Sequence, residues 1–269
     1  MIEQKEDLEN LETWAETWGM EFNAKKCHIL SVKNKTSFFY QLCGEILKTV
    51  NNTTYLGINI SNDLKWATHI KDICSKASSR LGFIRRNLQH CPLTTRKNAY
   101  LALVRSSLEY GAAIWDPYYK TDIDRIEKIQ SRAIRFIQRD YHSREQGCVE
   151  RMRHQLQLEN LQDRRRDIRL TLFFKIIQGL TPAIQINNHL EPVNVNKRQI
   201  RARKFQNCIS NNPIAKYNQS NNRCFKIPQS KIELENSFFI RTGKEWNCLN
   251  QETVDAASIN AFRASLKRT

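Results

Sequence analysis

Eight cysteines lie singly along 269 residues, at 27, 43, 74, 91, 148, 208, 224 and 248, and no CxxC occurs. Structural zinc takes four Cys or His ligands at short, regular spacings. The neighbours Cys27-His28 and His90-Cys91 are too close together and too isolated to cage an ion. Scattered thiols read as free, which suits a reducing compartment. No run approaches 18 consecutive apolar residues, so no membrane-spanning helix is expected. The start, MIEQKEDLENLETWAE, is acidic and amphipathic, whereas a signal peptide is basic and then apolar. A soluble protein of the cell interior, cytoplasm or nucleus, is expected. No serine or cysteine motif marks a nucleophile beside the six histidines, which leaves a hydrolytic triad without support.

Positive charge is what the chain has in excess. Forty-three Lys and Arg against 27 Asp and Glu give +16 and a pI near 9.6. A field of that sign favours polyanions, nucleic acid first and an acidic membrane surface second. The excess is polarised: −3 over residues 1–64, +7 over 65–120, +4 over 121–188, +8 over 189–231 and 0 over 232–269. One region is thus expected to hold a polyanion while another does something else.

In the first segment, 1–64, Leu8, Leu11, Ala15 and Trp18 step by three or four, one face of a helix that Gly19 can end. Short strands are expected at 20–22 and 29–32. A hairpin is expected from 38–42 and 46–50 around Cys43-Gly44-Glu45. A further strand is expected at 55–60, with Gly57 as a bulge or a close approach by another backbone. So few strands suit the end of a larger domain.

The second segment, 65–188, is helical. Trp66, Ile70, Ile73, Ala77, Leu81, Ile84 and Leu88 form one row, with Lys71, Lys76, Arg80, Arg85 and Arg86 between them. The helix must end before Pro92, and Thr94 or Thr95 can cap the next one. Trp115-Asp116-Pro117-Tyr118-Tyr119 reads as a packed turn. A third helix opens near Thr121 with the apolar row Ile123, Ile126, Ile129, Ala133 and Ile137. It carries Arg125, Lys128, Arg132, Arg135 and Arg139 on other faces. A helical stretch over roughly 149–178 contains Arg164-Arg165-Arg166 and Arg169. The fold class expected is α+β and mostly α: a short helix and hairpin, a basic helical bundle, then an irregular basic region.

Residues 189–231 hold nine Lys or Arg, eight Asn and one acid, with no periodicity. Phe205, Tyr217 and Phe225 among those charges are compatible with base stacking, and equally with a basic linker. Residues 232–269 regain order around Phe238, Phe239, Trp246 and Leu249.

Several blocks together resemble the post-catalytic part of non-LTR (LINE-like) retrotransposon reverse transcriptases. They are Trp14 to Cys27, Tyr55-Leu56-Gly57-Ile58, Leu64-x-Trp66-x-x-His69-Ile70 and Leu81-Gly82-Phe83-Ile84-Arg85-Arg86-Asn87-Leu88. Tyr100 to Tyr110, Trp115-Asp116-Pro117-Tyr118 and Asn236 to Leu249 complete the set. The resemblance implies the end of a polymerase palm, with Lys26 as a motif-D-like general acid for the departing pyrophosphate. It implies a primer grip at Tyr55, Leu56 and Gly57, and a helical thumb over roughly 65–180. Contacts to RNA, DNA or an RNA–DNA hybrid are expected from those three residues and from Lys76, Arg80, Arg85, Arg86, Arg132, Arg135, Arg164, Arg165 and Arg166.

The family also holds two magnesium ions on aspartates, two of them adjacent. This chain has no Asp-Asp pair and begins just after where that hairpin would stand, so a truncated chain without its own cofactor or polymerase activity is expected. A helical protein-interaction module and a decayed, functionless remnant remain alternatives, since most basic helix rows are simply solvated faces.

Overall fold

A computed structural model describes residues 2–32, 39–193, 221–228 and 235–267. The chain divides into two compact units, Met1–Ser79 and Arg80–Thr269, each described by itself below.

The first unit opens with α1 (Ile2–Thr17), closed by Gly19 in the left-handed region at φ +64°. Of the predicted apolar row Ala15 is buried, Leu8 half-buried and Leu11 and Trp18 exposed, as is Trp14 outside the row. Six short strands follow: β1 (His28–Leu30), β2 (Gln41–Leu42), β3 (Glu45–Ile46), β4 (Lys48–Val50), β5 (Asn52–Tyr55) and β6 (Ile58–Ser61). They pair as β1 with β4 in parallel and β2 with β3 and β5 with β6 as antiparallel hairpins. Met20–Phe22, expected as a strand, is not one, and Ala24–Lys26 form a 3-10 turn. The hairpin expected around Cys43-Gly44 is present. Both turn residues sit at positive φ, which a two-residue type I′ turn requires, and the Cys43 amide donates to a Glu12 carboxylate oxygen of α1.

The expected continuous strand over 55–60 is corrected. Tyr55 pairs with Ile58, so Leu56 (φ +48°) and Gly57 (φ +80°) are the two-residue tip of the β5–β6 hairpin. Gly57 is neither a bulge nor a close backbone approach in mid-strand; it supplies a backbone angle that side chains disfavour.

The helix α2 (Ala67–Leu88) buries Ile70, Ile73, Ala77, Leu81 and Ile84 from its predicted row, and the division between the units falls within it. In the second unit α3 (Leu93–Ala99) begins directly after Pro92, so Thr94 and Thr95 lie inside the helix rather than capping it. A π-helical stretch, Tyr100–Arg105, leads into α4 (Ser106–Glu109) and α5 (Ala112–Trp115). The third predicted helix is α6 (Lys120–Gln138), with Ile126, Ile129, Ala133 and Ile137 buried. The helical stretch expected over 149–178 is two helices, α7 (Cys148–Gln155) and α8 (Leu161–Ile177).

The C-terminal core builds on α8. Leu170, Phe173 and Phe174 pack with Leu190, Phe225, Trp246, Leu249, Val254, Phe262 and Leu266. These partners come from the strand pair β7 (Glu191–Pro192) and β8 (Phe225–Lys226) and from α9 (Phe238–Asn247), α10 (Gln251–Val254) and α11 (Ile259–Leu266), with their flanks. Phe174 stacks on Phe262 at 4.5 Å between ring centroids, and Phe173 meets Trp246 at 5.4 Å. Asn250 and Ser258 cap α10 and α11 by accepting from the Thr253 and Ala261 amides. Asn221, itself buried, donates to the Trp246 carbonyl in the last turn of α9 and to the Leu249 carbonyl just beyond it. Phe225, expected among base-stacking aromatics, is a core residue meeting Phe173 edge-on, while Phe205 and Tyr217 lie outside the described residues.

Candidate nucleic-acid interface

The predicted cations of α8 are bound up with carboxylates to different degrees. Arg165 is fully buried, and its Nε donates to Asp116 Oδ1 at 2.8 Å. Arg169 donates to the other oxygen of the same carboxylate at 2.8 Å and also to Glu245 and Thr242. Arg241 closes the group, 3.2 Å from Asp116. Arg166 lies 3.8 Å from Glu245. Arg164 is half-buried between Glu109 and Glu159, and the Glu109 hydrogen bonds push its pKa up.

The expectation of phosphate contact is therefore corrected for the fully buried Arg165, whereas Arg164 and Arg166 stay partly exposed. Arg165 and Arg169 join α8 to the Trp115-Asp116-Pro117 turn and α9, Arg164 joins it to α4, and a charge paired inside the protein is not free for phosphate. The missed signal was spacing: Leu161, Arg165, Arg169, Phe173 and Ile176 form one buried face of α8 with arginines at core positions.

The rest of the predicted cations are placed differently. Lys76, Arg80, Arg85, Arg86 and Arg132 are exposed, and Arg135 is half-buried with bonds to the Asp140 carbonyl and Cys148 Sγ. On α6 the basic positions 125, 128, 132, 135 and 139 advance by three, four, three and four, so they run along one side of the helix. At 1.5 Å rise per residue the row is about 21 Å long. Its only carboxylate partner among the described residues is Asp122, 3.1 Å from Arg125; Lys128 and Arg132 have none there.

Arg139 ends α6 in the left-handed conformation usually taken by glycine, and its guanidinium donates to the Gln89 and Cys91 carbonyls. Those bonds tie the end of α6 to the residues just after α2, whose last turn carries Arg85 and Arg86. Arg96 is buried nearby and donates to the Ile137 carbonyl, with burial pushing its pKa down.

In the first unit the hairpin tip projects Tyr55 and Leu56, 66% and 71% exposed. Lys26 is exposed at the end of the 3-10 turn, and its carbonyl lies 3.1 Å from His28 Nδ1. Among the described residues no three His, Cys, Asp or Glu side chains stand close enough to hold a metal ion. No described helix is long and apolar enough to cross a membrane.

No family model and no solved structure matches the chain. Two curated proteins of Drosophila melanogaster do. The “RNA-directed DNA polymerase from mobile element jockey” is 25% identical over 138 residues, 49% of this chain and 15% of the relative. The “Probable RNA-directed DNA polymerase from transposon BS” is 26% identical over 140 residues, 49% of this chain and 16% of the relative. The matched part is thus about a sixth of each relative's length. Over about half of its own length, the chain is similar to the reverse transcriptases of non-LTR retrotransposons.

Proposed function

We propose that this chain is a piece of a non-LTR reverse transcriptase that grips template–primer nucleic acid and does not itself join nucleotides. The observation that carries the reading is the α6 row, a line of cations that internal carboxylates leave largely unneutralised. Duplex DNA carries one phosphate per ~3.4 Å of axis on each strand, so a cationic row about 21 Å long would face a dense phosphate field. Such contacts position a duplex without reading its sequence. Tyr55, Leu56 and Gly57 at the β5–β6 tip serve as the primer grip in this reading, with Lys26 as the polymerase motif's lysine. Cytoplasm or nucleus is the working compartment proposed; no disulfide joins any two of the seven cysteines among the described residues.

The test is fluorescence anisotropy with labelled RNA–DNA hybrid and duplex DNA across a salt series. Log affinity is expected to fall linearly with log salt, by roughly 0.9 for each phosphate contact on duplex DNA. Absent or salt-insensitive binding would remove the proposal. That outcome would favour a protein-binding module, for which one observation speaks: Phe83 and Leu103 are both exposed, and Arg80 reaches the Leu103 carbonyl between their helices.

A further inference from the structure

The α6 row ends beside a cleft of about 370 Å³ lined by Gly82, Arg85, Arg86, Gln89 and Tyr141. Pockets for small molecules run from roughly 300 to 1,000 Å³, so this one suits a single small ring system. The Arg85 guanidinium carbon stands over the Tyr141 ring, 5.6 Å from its centroid. Arg85 and Tyr141 are both exposed residues, so the pair can be reached from solvent. A planar cation backed by an aromatic ring is a stacking platform for a further flat π system, and bases of single strands stack on such planes.

The surroundings fit the same ligand. Gly82 puts no side chain on the cleft wall, and Gln89 brings a carboxamide oxygen that can accept at a base edge, its amide nitrogen lying 2.8 Å from His90 Nε2. Arg86 adds an exposed cation for a phosphate. No carboxylate lines the cleft, and neighbouring Asp140 is turned into its own loop, accepting from the His142 and Ser143 amides and the Ser143 hydroxyl. Through Arg139, which bonds the Gln89 carbonyl, the cleft is fixed to the end of the cationic row. A strand following α6 is thereby delivered to it.

We propose that this cleft holds one unstacked base of a single-stranded nucleic acid, stacked on Arg85 over Tyr141, with Arg86 on an adjoining phosphate. The inference rests on the nucleic-acid reading of α6 and adds a site for single strand beside duplex.

The experiment compares the full chain with its Arg85→Lys, Arg85→Ala, Tyr141→Ala and Tyr141→Phe variants. Each is titrated with a blunt duplex and with the same duplex carrying a short single-stranded tail. Arg85→Lys keeps the charge and loses the plane. It and Tyr141→Ala are expected to weaken tailed substrate roughly ten-fold more than blunt duplex, with the salt slope unchanged. Tyr141→Phe is expected to behave as the parent chain.

Equal binding of tailed substrate by the parent chain, Arg85→Lys and Tyr141→Ala would overturn the stacking site while nucleic-acid binding stands. So would an Arg85→Ala loss of the same size on blunt and tailed substrates, with Arg85→Lys unaffected, since Arg85 would then be a plain phosphate contact. Failure of the parent chain to bind either substrate would remove the α6 reading, and this site with it.

Discussion

Arg165 and Asp116, 49 residues apart in sequence, meet at 2.8 Å with both side chains almost wholly out of solvent. The carboxylate also takes Arg169 and Arg241, so one acid holds three guanidinium groups in place. Removing one partner of a buried ion pair costs about 3–5 kcal/mol, because the other charge stays buried without compensation. Asp116→Asn is therefore expected to destabilise the protein by at least that amount, measured by urea denaturation. A loss below about 1 kcal/mol would show that the arginines find other partners.

Tyr100 gives a pH-dependent test. Its hydroxyl donates to Gln130 Oε1 at 2.7 Å, and burial pushes its pKa above the ordinary tyrosine value. The folded state therefore prefers the neutral phenol more strongly than the unfolded state does. Its contribution is fully present below about pH 10, where unfolded tyrosine begins to ionise, and is lost as pH rises beyond that. Tyr100→Phe is expected to cost about 1–3 kcal/mol at neutral pH by leaving the Gln130 oxygen without its donor. It should also flatten the alkaline decline, followed by denaturation midpoints at pH 8, 9, 10 and 11. An unchanged alkaline slope would contradict this.

The hairpin tip permits a separation of stability from function. Leu56 holds a left-handed conformation that costs an L residue roughly 1–2 kcal/mol, whereas Asn-Gly is the pair favoured in such turns. Leu56→Asn is expected to stabilise β5–β6 by about 1 kcal/mol, read from amide exchange at Tyr55 and Ile58. If the tip grips a primer, the same variant weakens template–primer binding despite the gain. Gly57→Val is expected to destabilise, as a β-branched residue at φ +80° is strained.

What the sequence made legible follows from periodicity. Ile70, Ile73, Ala77, Leu81 and Ile84 announce α2, and Ile126, Ile129, Ala133 and Ile137 announce α6, because one buried face repeats every three to four residues. Cys43-Gly44 likewise marked its own turn. The Leu56-Gly57 tip was hidden by the β-favouring residues Tyr55 and Ile58 on either side, which read as one strand. The Asp116 cluster was hidden for a different reason. Arginine pattern alone does not tell a solvated face from a buried one, and only long-range pairing decides it. A hint was present: Asp116 is one of just three acids in 65–120, beside a tryptophan and a proline. For the α6 row the sequence supplied the spacing, and the structure added the exposure and the scarcity of internal partners.

Primer extension separates gripping from chemistry. The chain has no adjacent aspartate pair, and no metal-holding cluster occurs among its described residues. With magnesium or manganese, template–primer and deoxynucleotides, incorporation is expected to equal the no-protein control. Extension above that control would show a polymerase centre that this account does not contain.

The most direct measurement is the salt dependence of duplex binding by the parent chain and by a Lys128→Gln, Arg132→Gln double variant. Both side chains are exposed and neither pairs with a carboxylate among the described residues, so the fold should be unaffected. If each meets one phosphate, the log–log slope becomes shallower by roughly 1.8, and affinity drops for every duplex sequence alike. A double variant with the parent's slope and affinity would show that nucleic acid, if bound at all, does not lie along α6.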